Sequence, residues 1–222
     1  IKPIAVYTPA IEQGWEITDA VKDEHMKFGD YAPSNYNDQY LGEVPMYVAV
    51  KDSLNLPAVW LLNELGIQKG IDTVKRFGIP LDKGDRKLGL ALGGLEKGVS
   101  PMVMAEAYSV FPNDGERMEA HAIKKIVDAK GEIVAEWKEE KLKVTSKEVT
   151  DKMTTMLLGV VEQGTGKRVQ IPDVEIAGKT GSTQVPIAGI DGVKDQWFVG
   201  YTPSLVGAIW LGYDKTDEDH YL

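Results

Sequence analysis

The order in which two kinds of hydrophobic pattern succeed one another along the 222 residues constrains the fold more than any other feature. Helical spacing governs the first two-thirds. In the last third, Glu175 to Thr183, Gln196 to Tyr201 and Leu205 to Tyr213 are short, β-rich runs separated by turn chemistry. Thr202-Pro203-Ser204 joins the last two as a hairpin. Helices first and antiparallel strands last exclude an alternating βαβ wrap and predict an α+β layer architecture.

The helical part can be divided by its start and stop signals. Pro57 opens a helix through Trp60, Leu61, Leu62 and Leu65, with Gly66 suited to its C-terminal end. Ile67, Ile71 and Val74 mark a second amphipathic helix before Gly78. Ser100-Pro101 is a cap and first-turn proline for a helix reaching about Val110. Ile123 to Trp137 changes period around Ala129-Lys130-Gly131 and predicts a hairpin. Thr145 with Glu148 resembles a capping box ahead of a helix whose face is Val149, Met153, Met156 and Val160, stopped by Gly164. Trp15 to Val44, polar and turn-rich, reads as an ordered surface connection. Ile1 to Glu12 has no cap or turn before it, so the domain is expected to begin upstream of Ile1.

Composition removes several function classes. A net charge of -9, from 25 basic against 34 acidic residues with the signs interspersed, sets no face aside for phosphate backbones, so nucleic acid is not an expected partner. No apolar run of 18 residues is present, and any membrane anchor is expected outside these residues. Without cysteine, and with His25, His121 and His220 scattered, no metal site follows from spacing, and no cofactor is expected.

Three short patterns could hold chemistry. Gly178-Lys179-Thr180 invites comparison with a phosphate-binding loop, but that loop needs glycine where Asp173 stands and a helix where the strand continues. Gly166-Lys167 fails likewise, at Val161 and Arg168. A lysine, two hydroxyls and a glycine on an edge-like strand can instead hold an anionic peptide end, the glycine letting a ligand lie close to the backbone. Ser53-Leu54-Asn55, just before the Pro57 helix, reads on its own as a helix cap. Lys2 on its own reads as a solvated charge.

Taken together and in order, Lys2, Ser53-Leu54-Asn55 and Lys179-Thr180-Gly181-Ser182 resemble the Ser-x-x-Lys, Ser-x-Asn and Lys-Thr-Gly set of the penicillin-binding proteins. The resemblance runs through Ala32-Pro33-Ser34-Asn35-Tyr36, Ala91-Leu92-Gly93-Gly94, Val99-Ser100-Pro101 and Gly164-Thr165-Gly166. It closes with Trp197 to Pro203 and Trp210 to Asp214, strands most similar to those of the bifunctional class A enzymes.

That resemblance implies a serine β-lactamase/transpeptidase-like fold, with a five-stranded antiparallel sheet flanked by helices and a mostly helical subdomain. Residues 1-222 would be one transpeptidase domain, incomplete at its N-terminus and lacking the first strands. It implies a DD-transpeptidase that joins peptidoglycan stem peptides through a serine acyl-enzyme, is acylated by β-lactams, and works at the outer face of the bacterial plasma membrane. Lys2 would be the base, Ser53 a proton relay, Asn55 a holder of substrate backbone, and Lys179, Thr180, Gly181, Ser182 and Thr183 the binders of the terminal carboxylate and oxyanion. The nucleophilic serine would lie two residues before Ile1, so the N-terminal remainder of the protein is an expected partner. A carboxypeptidase, a β-lactamase or a non-catalytic sensor would share the fold, although no glutamate-led loop of the β-lactamase kind stands between Ser53 and Lys179. Val185 to Asp195 is longer than the family pattern, so the loop edging the groove is expected to differ.

Overall fold

Lys2 leads directly into a buried helix. The structure is a computed structural model that describes residues Ile1 to Leu222. A π-helical turn, Pro3–Tyr7, continues as α1, Thr8–Glu12, and Ile4 through Ile11 are almost completely buried. Proline suits the first turn because it has no N–H to leave unpaired. The Pro3 carbonyl accepts both the Thr8 N–H, which closes the wider turn, and the Thr8 hydroxyl at 2.8 Å.

The next stretch is more than a surface connection. Ala20–Asp23 (β1) pairs antiparallel with Gly42–Pro45 (β2), and Val21, Asp23 and Asn35 are buried. The polar composition that suggested exposure is internal hydrogen bonding. Three helices follow: α2, Met46–Lys51; α3, Leu56–Leu65; and α4, Ile67–Arg76. Gly66, with φ 84°, breaks the chain between α3 and α4 as its position predicted.

Pro101–Ser109 forms α5, and the Ser100 hydroxyl accepts from the Val103 N–H as a cap should. Beyond it, Glu116–Met118 (β3) pairs with Lys141–Lys143 (β6), enclosing the hairpin of Lys125–Val127 (β4) and Ile133–Glu136 (β5) around Gly131. The long helix α6, Lys147–Glu162, starts one residue later than the capping-box reading placed it. Ser146, extended at φ -86° and ψ 158°, accepts from the Val149 N–H, while Thr145 is turned inward and donates to Glu12 at 2.7 Å.

Three strands end the chain: Ala177–Gln184 (β7), Val193–Tyr201 (β8) and Val206–Gly212 (β9), antiparallel in the order β7-β8-β9. β8 begins earlier than Gln196 because Val193 pairs with both Gln184 and Leu222, so the Val185 to Asp195 stretch is partly strand. β7 and β9 each have one free edge within this chain, and three strands of the expected five are present. One hydrophobic core joins the Lys2 helix, α3, α4 and α6 to the inner face of the sheet at Ala177, Val199 and Tyr201. Phe111 stands against Phe77, Tyr108 and Tyr201, tying the helices to β8. No helix is long and apolar enough to cross a membrane.

Candidate active site

Ser53 does not cap the Pro57 helix; it terminates α2. Its N–H donates to the Val50 carbonyl and that of Leu54 to the Ala49 carbonyl, at 3.2 and 3.0 Å. This is the Schellman arrangement, in which the first residue past the helix takes the left-handed conformation usually given to glycine. Ser53 occupies that place with φ 58°. Asn55 begins α3, but its side chain does not cap it either. Both hydroxyl and amide are therefore free of capping duty.

The geometry brings Lys2 to this turn across 51 residues of sequence. Its amine donates to the Ser53 carbonyl at 2.6 Å, the Leu54 carbonyl at 3.1 Å and Asn55 Oδ1 at 2.6 Å, with Ser53 Oγ at 3.4 Å. Three close oxygens are what an ammonium can satisfy. Burial, and then the charge of Lys179, act against that form and hold the Lys2 pKa well below the ordinary lysine value. To act as a base toward a hydroxyl, the amine must give up one of these contacts along with a proton.

Lys179 lies on β7 at 4% exposure, and burial pushes its pKa down to about 7. Its amine donates to the Thr180 carbonyl at 3.1 Å, and its influence on Lys2 is electrostatic. Strand alternation sets Thr180 and Ser182 on one face of β7, with Lys179, Gly181 and Thr183 on the other. Gly181 pairs with Trp197 of β8, and a side chain there would meet the Trp197 Cβ at ordinary van der Waals distance, 3.4 Å. Ser182 and Thr183 are exposed on the outer half of the strand. The six residues from Lys179 to Gln184 run along the free edge of the sheet.

Sequence reasoning gave no role to three residues that the structure ties to this region. Thr165, in the turn after α6, shares a hydrogen bond with the Thr180 hydroxyl at 2.6 Å, and its N–H donates to the Lys51 carbonyl at 3.2 Å. It bridges the end of α2 and the β7 strand. Asn35 and Asp23 stand behind Asn55. The only trace of Thr165 and Asn35 in the sequence is that both fall inside stretches that carry the family resemblance.

Comparison with known proteins gives the family and the fold. The family model of the penicillin binding protein transpeptidase domain matches residues 1–221. Penicillin-binding protein 1F of Bacillus subtilis is 48% identical over 100% of this chain, and penicillin-binding protein 2a of Streptococcus pneumoniae 43% identical over 100%. The chain spans 30% of the length of each of these relatives. The solved structure of the penicillin-binding protein PonA1 from Mycobacterium tuberculosis superposes with a TM-score of 0.85 at 26% identity, over 98% of this chain and 60% of that one. Penicillin-binding protein 1A from Haemophilus influenzae gives 0.83 at 24%, over 96% and 37%. The chain belongs to the penicillin-binding protein transpeptidase family and has its α+β fold.

Proposed function

We propose that this chain is the greater part of a DD-transpeptidase domain that cross-links peptidoglycan stem peptides through a serine acyl-enzyme and is acylated by β-lactams. The observation that carries the reading is the amine of Lys2 enclosed by the oxygens of Ser53 and Asn55, in the field of Lys179. The nucleophile is a serine two residues upstream of Ile1, one helical turn from Lys2 and on the same face. Neutral Lys2 takes its proton as the serine oxygen bonds to the carbonyl between two terminal D-alanines. The proton then passes by way of the Ser53 hydroxyl to the leaving amine, and D-alanine departs. The amine of a second stem peptide attacks the acyl-enzyme, losing its proton back along that route.

The donor peptide lies along the free edge of β7, whose unpaired backbone groups receive an extended chain as an added strand. Thr180 and Ser182 hold its carboxylate, Lys179 supplies the positive field, and the Ser182 N–H is one arm of the oxyanion hole. Asn55 keeps one amide hydrogen for the substrate backbone. The work is done outside the plasma membrane, where stem peptides are found, with the anchor in a segment beyond these residues.

Protein extended upstream through the serine should label covalently with a fluorescent penicillin and release D-alanine from a stem-peptide donor when an amine acceptor is supplied. Lys2→Ala should do neither while remaining folded. Wild-type labelling of that variant would remove Lys2 as the base, and release of D-alanine to water alone would make the protein a carboxypeptidase.

A further inference from the structure

The Ser53-Leu54-Asn55 turn is held from behind by two buried polar residues for which the proposed mechanism has no use. Asp23, at the end of β1, is 0% exposed, and Asn35 is 4% exposed. Asp23 accepts from the Asn35 amide at 2.7 Å with one oxygen and from the Leu41 N–H at 2.9 Å with the other. The second Asn35 amide hydrogen goes to the Gln39 carbonyl at 2.8 Å. Asn35 Oδ1 accepts from the N–H groups of Asn55 and Leu56, at 2.8 and 3.2 Å.

These contacts leave the orientation of Asn35 no freedom. Reversing its amide would point NH2 at two N–H groups and oxygen at a carboxylate and a carbonyl. Asn35 is thus the cap of α3 that neither Ser53 nor Asn55 supplies, delivered from 20 residues away. The neighbouring Ser34 carbonyl accepts from Asn55 Nδ2 at 2.9 Å, so the Asn55 amide is also held one way, with its oxygen toward Lys2. A hydrogen bond from Asn35 to the Asp23 carboxylate polarises the amide and strengthens Oδ1 as an acceptor. Asp23 bears on the Lys2 helix as well: burial, and then the Asp23 charge, raise the pKa of Tyr7 above the ordinary phenol value.

We propose that Asp23 and Asn35 are positioning residues for acyl transfer, a linked pair that sets the height of the Ser53 turn and the direction of the Asn55 amide against Lys2. The role rests on the reading of Lys2 and Ser53 as base and relay. Nothing in it requires either residue to touch substrate.

The test is the acylation of protein extended upstream through the serine, with penicillin concentration varied so that pre-covalent binding and the acylation rate constant separate. Asn35→Ala should lower the rate constant on the order of 10²-fold, as displacement of a reacting group does, with binding changed by less than about threefold. Asp23→Asn keeps one acceptor but puts a donor against the Leu41 N–H, and should give a smaller loss in the same constant. Asp23→Asn also serves if Asn35→Ala does not fold. Val74→Ala, a core truncation in α4, controls for destabilisation alone and should acylate normally below its melting temperature. A loss in Asn35→Ala matched by Val74→Ala, or wild-type rate constants in both polar variants, would overturn the proposal. Lys2→Ala run beside them separates the two readings. If it acylates normally the base assignment fails, whereas an inert Lys2→Ala beside an unaffected Asn35→Ala and Asp23→Asn defeats only the positioning role.

Discussion

Replacing Ser53 with glycine should make the protein more stable and nearly inactive at once. A residue with a side chain in the left-handed conformation is strained by roughly 1–2 kcal/mol, a penalty glycine escapes. Glycine loses more backbone freedom on folding, which takes back roughly 0.5–1 kcal/mol. The net advantage of Ser53→Gly over Ser53→Ala, which keeps the φ of 58° and loses the same hydroxyl, is therefore centred at roughly 0.75 kcal/mol within a span of roughly 0–1.5. The hydroxyl itself contributes little to stability, since its contact with Lys2 is long at 3.4 Å.

For a domain of this size roughly 2–4 °C accompanies each kcal/mol, so the glycine variant should melt about 1–4 °C above the alanine variant. Both variants should acylate about 10²- to 10⁴-fold more slowly than the parent, the range for loss of a proton-transfer group. Scanning calorimetry and stopped-flow labelling with a fluorescent penicillin, on the same preparations, give both quantities. A glycine variant that melts at or below the alanine variant would refute the strained Schellman turn. Fast acylation by either would refute the relay and leave the turn standing.

Two other perturbations read the β7 strand. Lys179 has a folded pKa of about 7 against 10.5 when unfolded, so the unfolded chain holds more protons between these values. The penalty of burying the cation is fully present below about 7 and gone above 10.5, falling by about 1.4 kcal/mol for each pH unit crossed between them. Lys179→Met should thus resist urea better than the parent at pH 7, with an advantage that shrinks toward pH 10; equal midpoints at neutral pH would contradict a buried, destabilised cation. The double change Thr180→Val with Ser182→Val should slow penicillin acylation by a few kcal/mol, on the order of 10²-fold or more, through lost carboxylate and transition-state binding. An unchanged rate would move the carboxylate site elsewhere.

Whatever a residue settles with its near neighbours could be read before any fold was known. The Ser100 cap, the Gly66 break, the hairpin around Gly131 and the Val149 to Val160 face of α6 all depend on side chains within about one helical turn of the backbone they control, and all were legible. The resemblance to penicillin-binding proteins pointed to Lys2, Ser53 and Lys179 together, but it did not say how they would be held. Local signals misled wherever a distant group competed for the same backbone. Thr145 has a good cap's chemistry yet spends its hydroxyl on Glu12, leaving the cap to Ser146. Ser53 and Asn55 look like caps of α3, but Asn35 arrives first, because the β1–β2 hairpin folds its connection back over the start of that helix. Tertiary structure alone decided this, and with it the meeting of Lys2 and the Ser53 turn. A hydrogen bond between residues 20 or 51 apart exists only after a shared core has brought their elements together, and no pattern confined to neighbouring residues can encode which partner will be there.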